Sequence, residues 1–207
     1  MGERLDSGRA SEVRLSMTTA GGATQTRRGE LLAIAADQFA AFGFHNVTVD
    51  DLGRAAGVSG PALYHHFASK EALLGEMLVS ISQQLLDGGR ALVQSGPTGL
   101  LDSLILFHCQ FAVDNSSLIT VHFRDLVHAT DVDQRRVRRL QASYASLWIQ
   151  TVVASHPNVD ERRVRAAVHV AFGLMNSTPF SSTLPRGPMI HLLSAMATGA
   201  LGQLELT

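Results

Sequence analysis

The sequence predicts an all-α protein of about nine helices in two domains. Three observations predict it. Apolar residues recur three and four positions apart through most of the chain, and no alternating strand pattern occurs. Gly, Pro, Asn and Asp punctuate the chain into helix-length pieces. Between Val47 and Leu74 two short helical stretches meet at a glycine turn, and a third follows at once.

Residues 1–25 are polar, rich in Gly, Ser, Thr and Arg, and read as a disordered extension; Met17 is an alternative start to Met1. A first helix is expected over 26–42, with Leu32, Ala35, Phe39 and Phe42 inward and Gly43 as its end. Thr48 is the N-cap of the next, and Asp51 completes a variant of the capping box. Gly57 supplies the turn, while the small Gly53 lets the following helix cross closely. Ser59 is the expected cap of that helix, with Pro61 in its first turn. Leu63 and Phe67 face inward and Tyr64 and His65 outward.

Two helices joined by a short glycine turn are built to lay the second into a DNA groove. The segment resembles the DNA-binding domain of TetR-family transcriptional regulators, and the resemblance leans towards actinobacterial members. It rests on Thr48, Leu52, Ala56, Gly57, Val58, Ser59, Leu63, Tyr64, His66, Phe67, Ser69, Lys70, Glu71 and Leu73. It implies a 26–70 helix-turn-helix domain and a 71–207 ligand-binding and dimerisation domain. It also implies Thr48, Tyr64, His65 and Lys70 on phosphates, and Ser59, Gly60 and Pro61 towards bases. Gly60, Pro61 and Ala62 stand where many members carry Lys, Gly and Thr, so this tip offers few side-chain donors.

Formal net charge is −1, and Lys70 is the one lysine among 17 basic residues. The cations near the motif must therefore be well placed, and Arg27 and Arg28 before it are the expected phosphate-binding arm. The arginine bias reads as a GC-rich bacterial genome. A lone cysteine, Cys109, excludes intramolecular disulfides and fits a reducing cytoplasm. No secretory signal or membrane span is expected.

A longer helix is expected from 69 to 87, kinked or ended by Gly88-Gly89. Others are expected over 98–114, 116–128, 133–155, 160–178 and 187–204. The resemblance implies that the last two pair with their twins in a homodimer. The stripes assigned to that pairing are Val164, Ala167, Val168, Ala171 and Leu174, then Ile190, Leu193, Ala197, Ala200 and Leu204.

Candidate effector contacts are Phe107, Phe111, Phe123, Trp148 and Phe172, with Thr151 and Asn176 as polar groups; the same residues also suit a plain core. His108, His122 and His169 lie on the same segments, either as core residues or as a ligand-orienting set. The run Arg135, Arg136, Arg138, Arg139 reads as a solvated face or as the seat of a phosphate-bearing effector such as an acyl-CoA thioester. Cys109 reads as a buried small residue or a redox sensor. His65-His66 diverge on a helix and do not chelate, so neither metal nor cofactor is expected. The function expected is a repressor released from a palindromic operator on double-stranded DNA by a small hydrophobic effector. The alternatives are a DNA-binding protein without an effector and, more remotely, a small all-α enzyme, for which no nucleophile or phosphate-loop motif is present.

Overall fold

The computed structural model describes residues 23–96, 98–181 and 183–205. The expected disordered extension lies almost entirely outside them. The described residues form ten α-helices and two short 3-10 turns, with no strand.

Helix α1, Ala23–Phe42, buries Leu31, Leu32, Ala35, Ala36 and Phe39. Phe42, expected inside, is 60 % exposed. Gly43 ends the helix at φ 86° and turns the chain, so Phe44 enters the core instead, 5.3 Å ring to ring from Phe39. Helix α2, Val49–Ala55, begins with the full capping box between Thr48 and Asp51. Gly57, at φ 67°, makes the turn into α3, Gly60–Leu63. The expected helix to residue 67 continues only as tight turns: Tyr64, His65 and His66 each donate three residues back, to Pro61, Ala62 and Leu63. Ser59 holds the N-cap position, yet its hydroxyl makes no cap bond.

Helix α4, Lys70–Ser95, passes straight through Gly88-Gly89 and stops at Gly96, φ 56°. The glycine pair does not break it because both sites are packing contacts. A Cβ on Gly88 would collide with the Phe107 ring, and one on Gly89 would stand 2.8 Å from Tyr144. Close approach by aromatic rings offsets the roughly 1 kcal/mol that each helical glycine costs.

Helices α5 (Leu100–Asp114) and α6 (Ser116–Asp125) follow, bent by 82° at Asn115, and a 3-10 turn at Leu126–His128 closes α6. Then come α7 (Asp131–Ser155), α8 (Glu161–Met175), a single turn α9 (Thr178–Ser181) and α10 (Arg186–Gly202). Among the described residues no single helix is long and apolar enough to cross a membrane.

Two apolar clusters form the core. The first joins α1–α3 to the N-terminal half of α4 and takes in Val121, Ala129 and Val137 from later elements. The second joins the rest of α4 to α5, α7, α8 and α10. Most of the stripes expected between two copies instead fill this second core: Val164, Val168 and Ala171 on α8, and Ile190, Leu193 and Ala197 on α10, are buried within one chain, while Ala200 is exposed. A different face stays open, with Val170 on α8 and Leu192 and Met196 on α10 exposed beside Ala166, Ala195, Gly199 and Ala200.

Candidate DNA-reading face and ligand cavity

The inner face of the helix-turn-helix is closed by Leu52, Ala56, Leu63 and Phe67, all buried. Thr48, Ser59, Pro61, Tyr64 and His65 are each exposed. Gly60, expected to face bases, is buried instead: it packs beneath Asp50, and a Cβ on Gly53 would stand 2.8 Å from its amide nitrogen. The crossing of α2 and α3 needs both glycines. The Asp51 carboxyl is pulled down to about 2, chiefly by the Thr48 hydroxyl, then by the Thr48 backbone N–H and by Arg54.

The expected phosphate-binding cations have internal work. Lys70 donates to the carbonyls of Phe44 and Val47 at 2.9 and 3.0 Å, with its ammonium 4.3 Å above the Phe44 ring. The cation at the start of α4 is thus answered by the carbonyls of the α1–α2 loop. Arg28 grips the Glu76 carboxylate with two nitrogens, donates to the His66 carbonyl and lies 4.4 Å over Phe67. Arg27 pairs with Glu30 and donates to the Ala56 carbonyl, which closes the end of α2. These three cations build the reading head rather than a free arm. Arg54 was not singled out by sequence. Its side chain is 76 % exposed, in an ion pair with Asp51 beside the Thr48 cap. Its position in the last turn of an N-capped helix was the available signal.

Further along α4, Ile81, Ser82 and Leu85 form one wall of a cavity of about 440 Å³. Phe111 on α5, Leu118 and Ile119 on α6, and Tyr144 and Ala145 on α7 form others. Phe123, Ala142, His169 and Gly173 line it at exposed positions and mark the mouth. Of the seven effector contacts expected, Phe111, Phe123, Phe172 and Asn176 line this space. Phe107 is spent on the Gly88 contact. Trp148 is fully buried behind the wall, edge-on to His108 and Phe172. Thr151 lies two turns beyond Tyr144 on α7, about 10 Å along the axis, and its hydroxyl donates to the Leu147 carbonyl.

Part of the polar lining is a connected chain. The buried His108 stands between Tyr144 and Asn176, its Nδ1 3.2 Å from the Tyr144 hydroxyl and its Nε2 3.2 Å from Asn176 Oδ1. An amide oxygen only accepts, so Nε2 carries the proton and Nδ1 accepts from the tyrosine. The His108 and Phe172 rings stack at 5.1 Å. Burial pushes His108 down to about 4, despite its bond to Asn176, and raises the Tyr144 hydroxyl well above its usual value. One turn earlier on α7, Gln141 donates its amide to His122 Nε2 on α6, and burial lowers that ring too. His108, His122 and Tyr144 are therefore uncharged near neutrality.

The arginine run of α7 is exposed around a buried Val137, and Arg138 bonds Gln134 one turn before the cavity-lining Gln141 and Ala142. Cys109 is buried with its thiol raised by burial, the environment of an inert small core residue. No group of three or more metal-ligating side chains occurs among the described residues.

Known proteins resemble this chain in the helix-turn-helix and in the overall fold. The model of the family described as "Bacterial regulatory proteins, tetR family" matches residues 31–77. The HTH-type transcriptional repressor KstR2 of Rhodococcus jostii is 33 % identical over 132 residues, covering 62 % of this chain and 64 % of that protein. The chain thus spans just under two thirds of the length of this relative. The structure of the ketosteroid transcriptional regulator KstR2 of Mycobacterium tuberculosis superposes with a TM-score of 0.69 at 21 % identity, covering 92 % of this chain and 98 % of that one. The transcriptional regulator FadR of Bacillus subtilis, solved in complex with stearoyl-CoA, gives 0.66 at 16 % identity, covering 84 % and 96 %.

Proposed function

We propose that this chain, which belongs to the TetR family of bacterial regulatory proteins, is a ligand-responsive transcriptional repressor acting on DNA in the cytoplasm. Its reading head, residues 26–70, binds a palindromic operator, and its body, residues 71–207, senses a small effector and pairs two copies. The observation that carries this reading is the course of α4. Its first turn holds the α1–α2 loop through Lys70, and its middle forms a cavity wall through Ile81, Ser82 and Leu85. A ligand that fits the cavity in only one position of α4 shifts the reading heads by its differential affinity for the two states.

On DNA, Thr48, Tyr64, His65 and Arg54 meet phosphates, while Ser59 and Pro61 approach base edges. The open faces of α8 and α10 supply the homodimer contact, whose small residues permit close helix packing. A dimer presents two heads to half-sites about one helical turn apart. The effector is small and hydrophobic or an acyl-CoA-like thioester. In the latter case the acyl part occupies the cavity and the anionic head lies towards the exposed arginines of α7. Two observations support this class: the largely apolar lining and the stearoyl-CoA held by a protein of the same fold.

Selection of bound sequences from a random DNA pool, followed by titration of the selected duplex with acyl-CoAs of graded length, tests the reading. A palindrome released at some chain length is the expected result. Binding indifferent to sequence overturns the repressor. A palindrome that no hydrophobic or acyl-CoA ligand releases instead favours a DNA-binding protein without an effector.

A further inference from the structure

Among the described residues the cavity is lined by no Asp, Glu, Lys or Arg. The buried His108 is neutral, burial also lowers the half-buried His122, and His169 stands exposed at the mouth. A carboxylate or ammonium pushed to the inner end would lose its hydration and meet no opposite charge, so its burial there is disfavoured. The inner end is polar nonetheless. Tyr144, His108 and Asn176 form a directed chain, hydroxyl to ring to amide, in which each proton's position is dictated by the next acceptor. That chain pins Asn176 by its oxygen. The amide's Nδ2 is left with two N–H groups and no protein acceptor among the described residues, on a side chain that lines the cavity.

We infer that the cavity takes an uncharged part of its ligand, and that Asn176, oriented by His108 and Tyr144, donates from Nδ2 to a carbonyl-type oxygen on it. The inference rests on the reading of this cavity as an effector site and names the chemistry the site selects. Tyr144 and His108 act as positioning residues: they consume the acceptor end of Asn176, so the amide presents only donors. Any charged group of the ligand remains at the mouth, near Phe123, His169 and Gly173. The site therefore distinguishes a ketone, ester, thioester or amide from a free acid of the same shape.

The test uses the whole chain and three probes of matched shape: acetylnaphthalene, ethylnaphthalene and naphthoate. Binding is measured by calorimetry, and operator affinity is followed in parallel. The ketone is expected to bind about tenfold more tightly than the hydrocarbon and the carboxylate, the gain of one oriented hydrogen bond in a dry site. Asn176→Leu should bring the ketone to the hydrocarbon's level while the hydrocarbon still binds. Asn176→Asp keeps the shape and should also lose the preference. His108→Phe should weaken the preference without abolishing hydrocarbon binding, because the amide is then free to turn. Naphthoate binding as tightly as the ketone, a preference that survives Asn176→Leu, or no binding by any probe overturns the inference. Operator binding that is normal in those cases leaves the repressor reading standing. The expected probe ranking in a protein with no sequence-specific DNA binding overturns that reading and leaves this one.

Discussion

Arg28 on α1 and Glu76 on α4 meet in a two-pronged ion pair, and the same guanidinium donates to the His66 carbonyl at the end of the recognition segment. One side chain thus ties the first helix, the fourth helix and the reading tip together.

Glu76→Ala should therefore act on DNA binding without touching DNA. The pair is half-exposed and screened, so the stability lost should be about 1 kcal/mol. Operator affinity should fall several-fold, because the tip loses its anchor. Arg28→Lys should behave similarly, since an ammonium cannot grip both carboxylate oxygens and the carbonyl together. Thermal melts combined with fluorescence anisotropy on the selected duplex check both; an unchanged affinity in Glu76→Ala removes this role.

The exposed face predicts a different pattern. Tyr64→Ala and His65→Ala should weaken operator binding about tenfold each with little change in melting temperature, as both side chains are outside the core. Arg54→Ala should lower the slope of log affinity against log salt by about one. The slope of the unmodified protein should already be shallow, because Arg27, Arg28 and Lys70 are engaged inside the fold. A steep slope insensitive to Arg54 would place the phosphate contacts elsewhere.

Much of the reading head was legible in sequence because its signals are local. Thr48 with Asp51, the left-handed Gly57 and the inward Leu63 and Phe67 lie within 20 residues of one another. The misreadings of Lys70, Arg28 and Gly88-Gly89 share one cause, a partner distant in sequence. Nothing near Lys70 announces the carbonyls of Phe44 and Val47, and nothing near Arg28 announces Glu76. Gly88-Gly89 look like a helix end until Phe107 and Tyr144 are seen against them. Helical spacing likewise marks Trp148 and Phe172 as inward residues without saying which faces a void. The stripes assigned to the dimer failed for a related reason: the most apolar face of each helix belongs to its own core, and a partner is left the next most apolar one.

The pH dependence of stability should carry the mark of His108. Above its ordinary value of 6.5 the ring is neutral in folded and unfolded chains alike. As pH falls from 6.5 towards 4, the unfolded chain binds a proton that the buried ring refuses, so stability drops through this window and the contribution levels off below it. His108→Phe should remove that part of the loss. Urea unfolding of both proteins near neutrality and at pH ~5 reads the difference; identical losses in the two would mean that the ring protonates in the folded state.

The open face of α8 and α10 predicts the response to charge. Val170→Glu together with Met196→Glu should convert a dimer to monomers in sedimentation velocity, since both side chains lie more than half exposed on the two helices assigned to the contact. Operator affinity should fall with dimerisation, because each head alone holds one half-site. A dimer that survives both charges would move the interface to another face.

Gly88 and Gly89, in the C-terminal third of α4, leave no side chain between the helix backbone and the rings of Phe107 and Tyr144. Elsewhere in a core, a small displacement is absorbed when a leucine or methionine changes rotamer. Here there is nothing to rotate. A sideways push on Tyr144, itself a wall of the cavity, arrives at the axis of a 26-residue rod. The joint between sensor and rod is stiff because it was built from the two residues with the least to give.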